Sequence, residues 1–275
     1  MIMKQFDMTR FGRVLKLDFF EGRKAMMWGA LCMVLLYLFF FWFAHTIGFH
    51  SSQFAYINNP AEALRMRINH ICEGVSVFSA IALFIFFLIT ASTLYRGEQK
   101  KQQRIAWLML PATNLEKFTS RWIYMLVFSI VGGLLPFFVA DGIHMCYLGM
   151  TGNPVVAATS YLPTILPHVG THTPLIQVVD YYLAYVTIYS LFLLGGVFFK
   201  KFHFIATTAV FAVAMACFAS VYNVLGYRDT PTPPDYIMDN VISIGFSVCL
   251  IALFTWLAYW LFCRWQVVTH KFANV

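Results

Sequence analysis

AMMWGALCMVLLYLFFFWFAHTIG, residues Ala25–Gly48, contains no Asp, Glu, Lys or Arg. A bilayer's hydrocarbon core is ~30 Å thick and takes roughly 20 apolar residues of helix to cross, so this run is long enough to span. A basic N-terminus precedes it, as in a secretory leader. The run is nevertheless too long for a signal-peptide core and no small-residue cleavage site follows it, so it reads as a retained span. Working outward, five more runs of spanning length follow: Ile71–Leu94, Trp122–Leu148, Tyr181–Phe199, Phe202–Val224 and Val241–Cys263. Gly132, Gly133 and Pro136 interrupt the third, which predicts a kink or an early exit near Asp141. Over all 275 residues, 60% are hydrophobic and 11% charged, against about 25% charged in soluble domains. The expected fold is an all-α membrane protein: one transmembrane domain over residues 1–275 with six spans.

The net charge of +7 would suggest nucleic acid in a soluble chain, but its placement gives another reading. Lys4, Arg10, Arg13, Lys16, Arg23 and Lys24 precede the first span. Arg96, Lys100, Lys101, Arg104, Lys117 and Arg121 lie between the second and third. Lys200 and Lys201 form the turn between the fourth and fifth, and Arg264 and Lys271 follow the sixth. Only Arg65, Arg67 and Arg228 fall in the alternate loops. This positive-inside asymmetry puts both termini in the cytoplasm and makes nucleic acid unnecessary. Anionic lipid is the natural counter-charge, at about 1 kcal/mol per basic residue near the surface.

Met8–Phe20 sets Met8, Phe11, Leu15 and Phe19 at helical spacing, with Arg10, Arg13 and Lys16 on the other side. That pattern predicts an interfacial helix over residues 8–20, with Phe11, Arg13, Leu15 and Lys16 at the membrane surface. The alternative is a helix that packs on the protein's own loop. In the alternate loops, Gly149–Asp180 carries Pro163, Pro167 and Pro174, and Tyr227–Asn240 is similarly proline-rich, which forbids regular helix through much of both. Six scattered cysteines have no spacing motif and read as small apolar packers, although Cys72 and Cys146 lie toward the same side and are candidates to pair.

Catalytic chemistry is sparse. His168 and His172 have ligand-like spacing, but Gly170 and the flanking prolines oppose the helix that would aim both at one metal. His45, His50, His70 and His144 sit near span ends, where an amphipathic ring is comfortable. No nucleophile elbow, zinc-protease helix or phosphate-cradling loop occurs, and no acid or base lies at midplane depth. An ionisable residue there is the usual mark of proton or ion handling.

The remaining segment is RIAWLMLPATNLEKFTSRW, Arg104–Trp122, too charged for a span and too apolar for a solvated loop. Ile105–Leu110 is apolar, and Trp107 within it suits the headgroup level. Pro111 cannot continue a helix and disfavours helical geometry at Leu110. Thr113-x-x-Glu116 then has the form of a capping box, worth about 1 kcal/mol, which would start a helix running through Lys117 and Arg121 into the third span. Two readings stand: a break that transmits a push to that span, or a plain re-entry turn.

LPATNLEKFTSRW resembles the Leu-Pro-x-Ser/Thr-x-x-Glu-Lys-Phe segment of permease subunits of the type-2 ABC-exporter family. LLGGVFFKKFHFIATT, Leu193–Thr208, is similar to the tight turn those permeases carry between spans four and five. The short Tyr227–Asn240 loop departs from relatives that place a larger re-entrant segment there. The resemblance implies a homodimer or paired permease in a bacterial inner membrane, driven by separate ATP-binding cassette subunits that carry the ATP and Mg, with no cofactor in this chain. It implies a short cytoplasmic coupling helix formed around Arg104, Trp107, Leu108, Leu110, Pro111 and Asn114, with Glu116, Lys117 and Arg121 orienting the helix behind it. The expected function is therefore ATP-driven export of an unspecified substrate by a non-enzymatic permease. The rival readings are a membrane enzyme using the outer histidines with Asp141 or Asp180, and a scaffold that anchors partners without transport.

Overall fold

The computed structural model describes residues 6–50, 59–95, 105, 107, 109–161, 175–199, 202–224 and 235–264. Among them the chain is all-helical, with no β-strand. The helices are α1 (Met8–His50), α2 (Pro60–Ser92), α3 (Asn114–Met150), α4 (Leu175–Phe198), α5 (His203–Val224) and α6 (Asp235–Cys263), with a short 3₁₀ turn at Ala158–Tyr161. Five of them, all but α5, are long and apolar enough to cross a membrane, and the apolar part of α5, His203–Cys217, is shorter. The chain is thus an all-α protein of membrane type.

Helix boundaries depart from the expected ones for local reasons. The expected interfacial helix and first span are one continuous helix, α1, because Glu21–Lys24 contains a single glycine and no proline. One glycine costs only about 1 kcal/mol in a helix interior and does not end it. Asn59 starts α2 a full segment before Ile71: its side chain accepts the Ala61 amide at 3.2 Å, and Pro60 stands at the first helical position. The early exit expected near Asp141 does not occur. Helix α3 runs through Pro136 to Met150. Pro136 removes one N–H from the ladder in that stretch, and the neighbouring Gly133 carbonyl accepts the Tyr37 hydroxyl at 3.3 Å.

The chain divides into two compact units. The first comprises Met1–Asp18, Leu88–Met125 and Thr171–Val275; the second comprises Phe19–Phe87 and Leu126–Gly170. In the first, α4 packs against α5 and α6. Its Gly195–Gly196 pair is required by close approach. A Cβ on Gly195 would overlap the Thr207 side chain of α5, and one on Gly196 would stand 2.6 Å from the Ser92 carbonyl oxygen at the end of α2. The turn after α4 places Phe202 at φ 54°, in left-handed territory that costs a non-glycine residue some strain. In the second unit, Met33, Tyr37 and Phe41 form one stripe of α1 in a core with Ile68, Cys72 and Val75 of α2 and Phe137 of α3.

Candidate functional site

Ile105 and Trp107 belong to a helical turn that ends at Pro111. The Met109 amide donates to the Ile105 carbonyl at 3.0 Å and the Leu110 amide to the Trp107 carbonyl at 3.3 Å. Pro111 has no N–H to extend this pattern. Instead the Ala112 amide donates to the Leu110 carbonyl at 2.8 Å, closing a three-residue turn centred on Pro111.

Thr113 then caps α3. The Glu116 amide donates to Thr113 Oγ1 at 3.2 Å, and the Thr113 amide donates to Glu116 Oε2 at 2.8 Å. This is the reciprocal capping box that the sequence spacing predicts. The remaining oxygen of Glu116 does something no local pattern announces. Its Oε1 accepts the Asp7 amide at 2.8 Å and Arg10 Nη2 at 3.2 Å. Asp7 is itself the cap of α1, its Oδ1 accepting the Thr9 amide at 2.8 Å. That amide, with the Arg10 guanidinium beside it, holds the Asp7 carboxyl below its ordinary range. One buried carboxylate, Glu116, therefore joins the N-termini of two helices, where free amides and the macrodipole favour negative charge.

One turn along α3, Ser120 Oγ donates to Asp18 Oδ2 at 2.5 Å, and Arg121 Nε lies 2.9 Å from Asp18 Oδ1. Asp18 and Arg121 are both buried. Trp107 is only 5% exposed, packed against the protein's own side chains. Lys117 Nζ and Arg121 Cζ lie 5.6 and 5.4 Å from its ring centre, and Phe262 of α6 meets it edge-on at 5.4 Å. Phe262 also contacts Tyr95 and Phe118. Cation–π contact and aromatic packing thus tie the loop before Pro111 to the first turns of α3 and to the end of α6.

The expected coupling residues separate into two groups. Trp107, Glu116, Lys117 and Arg121 are buried and act inside the unit, while Pro111 and Asn114 are exposed and Leu110 is half-buried. Arg104 and Leu108 lie outside the described residues. Two large apolar side chains that the sequence reading did not single out, Met109 and Leu115, stand exposed at 79% and 45% beside Pro111. In the N-terminal segment Arg13 and Lys16 are exposed and Phe11 and Leu15 half-buried, but the buried pair is Val14 and Asp18. The polar contacts of Asp7, Arg10 and Asp18 dock this segment on the start of α3. The signal for this was Asp18, the single acid in Met8–Phe20.

The second unit holds His45, His144 and Asp141 of the enzyme reading. His45 and His144 do meet, Nε2 to Nε2 at 2.9 Å, with ring centroids 5.2 Å apart. That separation is the 2.9 Å contact plus the two ring radii, so the nitrogens face each other head-on, as in a hydrogen bond between one protonated and one bare nitrogen. Two ligands of one metal would converge on a third point instead. Asp141 accepts the Ala158 and Thr159 amides at 2.9 and 3.0 Å and so caps the 3₁₀ turn. In the first unit, Asp180 accepts the Ser243 hydroxyl at 2.7 Å. No group of three or more metal-ligating side chains occurs among the described residues, and His168 and His172 lie outside them. Cys72 and Cys146 are both free thiols. No family model matches this chain, and no curated protein and no solved structure matches it.

Proposed function

We propose that this chain is the membrane-spanning permease subunit of an ATP-driven exporter. It would cross the membrane six times, with both termini in the cytoplasm, and work as a dimer or paired permease. ATP would be hydrolysed by a separate ATP-binding cassette subunit. One observation carries the reading: an exposed apolar tip, Met109, Pro111 and Leu115, stands directly on a capped and internally ion-paired helix start. A push on such a tip would pass into α3 through Glu116 and Arg121 and into α6 through Trp107 and Phe262. The basic residues concentrated before the first span, between the second and third, between the fourth and fifth and after the sixth support the same assignment, as does the close packing of α4 at Gly195 and Gly196.

Isolation of the complex from its native membrane in mild detergent tests this directly. An ATP-binding subunit in near-stoichiometric amount is expected; its absence under conditions that preserve complexes would remove the proposal. Met109→Asp should weaken that association about tenfold or more, as loss of an interface anchor does, while leaving the yield of folded chain unchanged. Lys117 is a poor probe by comparison, because its burial makes any charge reversal a folding defect.

A further inference from the structure

We infer that Arg23, Lys24 and Trp28 on α1 form a seat for an anionic phospholipid. All three side chains are exposed, and they belong to one unit. Lys24 and Trp28 are four residues apart, as are Arg23 and Met27, so each cation overlies a large apolar side chain on the helix surface. Met27 and Trp28 are 69% and 67% exposed, and exposed Leu31 and Leu35 continue the apolar surface along the helix. The opposite side of this stretch is occupied: Gly29 lies against the Phe128 ring and Met33 is in the core.

Charge selects the occupant. Among the described residues neither Arg23 nor Lys24 has an ion pair, and Glu21 is the only acid from Phe19 to Gly48. The change from basic to apolar falls between Lys24 and Ala25, at one level of the helix. A phospholipid reproduces that order, with a phosphate against the two cations, a Trp ring at the headgroup boundary and acyl chain along Met27, Leu31 and Leu35. A net negative headgroup is favoured over a zwitterionic one, since only the former leaves charge to neutralise the pair.

The full-length protein, exchanged into mixed micelles with equal phosphatidylglycerol and phosphatidylcholine of matched chains, is then examined by native mass spectrometry. Phosphatidylglycerol should be retained preferentially, and R23Q/K24Q should reduce that preference about fivefold per cation removed. R23K/K24R should preserve it. A photoreactive phosphatidylglycerol acyl chain should mark the peptide containing Met27–Leu35 in the unsubstituted protein, a readout that no folding defect can blur. Equal retention of the two lipids would overturn the proposal and favour an acidic protein surface as the occupant. Displacement by inorganic phosphate alone would also overturn it, as would loss of preference in R13Q/K16Q but not in R23Q/K24Q.

Discussion

The two units bury polar groups by different means. In the first, buried acids face arginines: Glu116 with Arg10, and Asp18 with Arg121. In the second, among the described residues, the buried acid Asp141 is held by two backbone amides and has no ion pair. Three further buried polar contacts there involve neither carboxylate nor guanidinium: His45 with His144, Ser76 with the Ala158 carbonyl, and Tyr37 with the Gly133 carbonyl. An ion pair out of water is stable only while both members remain, and removing one leaves a charge with no compensation. An amide-held group loses only its own bonds. The first unit should therefore be brittle toward single charge removal, and the second tolerant of it.

The largest effect is expected at Glu116 and Asp18. Glu116→Ala removes the acceptor for two amides and a guanidinium at once, and should cost about 3–5 kcal/mol, the range for breaking a buried pair. Asp18→Ala should cost a similar amount by stranding Arg121. Urea unfolding in detergent would measure both. The sharper comparison adds Arg121→Met to Asp18→Ala: removing both charges should recover much of the loss, because an apolar replacement of a whole buried pair is often neutral. A double variant as unstable as the single one would mean that packing, not charge, holds these turns together.

Asp141→Asn is the matched probe in the second unit. The substitution keeps shape and one acceptor oxygen while turning an NH₂ toward a backbone N–H, so about 1–3 kcal/mol should be lost. If it cost as much as Asp18→Ala, the contrast between the units would fail. Thr113→Ala comes next. It deletes the cap oxygen but leaves Glu116 and its links to Asp7 and Arg10, and should cost about 1 kcal/mol.

These sites were unequally legible in the sequence. The Thr113–Glu116 box was readable because both partners lie within one helical turn and the chemistry of each is fixed by residue type. The pairing of Glu116 with Asp7 and Arg10 spans more than a hundred residues, and no spacing rule reaches that far. Long apolar runs exposed the membrane character, yet where each helix starts depended on caps such as Asn59, which hydropathy does not weigh. The packing of Trp107 was not legible for a related reason. An indole in an apolar loop suits a headgroup layer, but its contacts with Lys117, Arg121 and Phe262 come from two other elements, which no local pattern reaches.

The smallest expected effect lies at His45 and His144, and it also separates the exporter reading from the enzyme reading. A head-on contact between two imidazole nitrogens at 2.9 Å needs one proton between them. In ¹⁵N-resolved spectra of the labelled imidazoles, one Nε2 should therefore behave as protonated and the other as bare. His45→Phe should cost no more than the ~0.5–1.5 kcal/mol of a single hydrogen bond, since Phe41 still stacks on His144. Titration with Zn²⁺ should leave the spectra and the unfolding midpoint unchanged. A metal-bound pair would instead show both Nε2 atoms deprotonated and a midpoint that rises with metal, and His45→Phe would abolish the rise. That outcome would place a metal centre in the second unit and make catalysis there the reading to pursue.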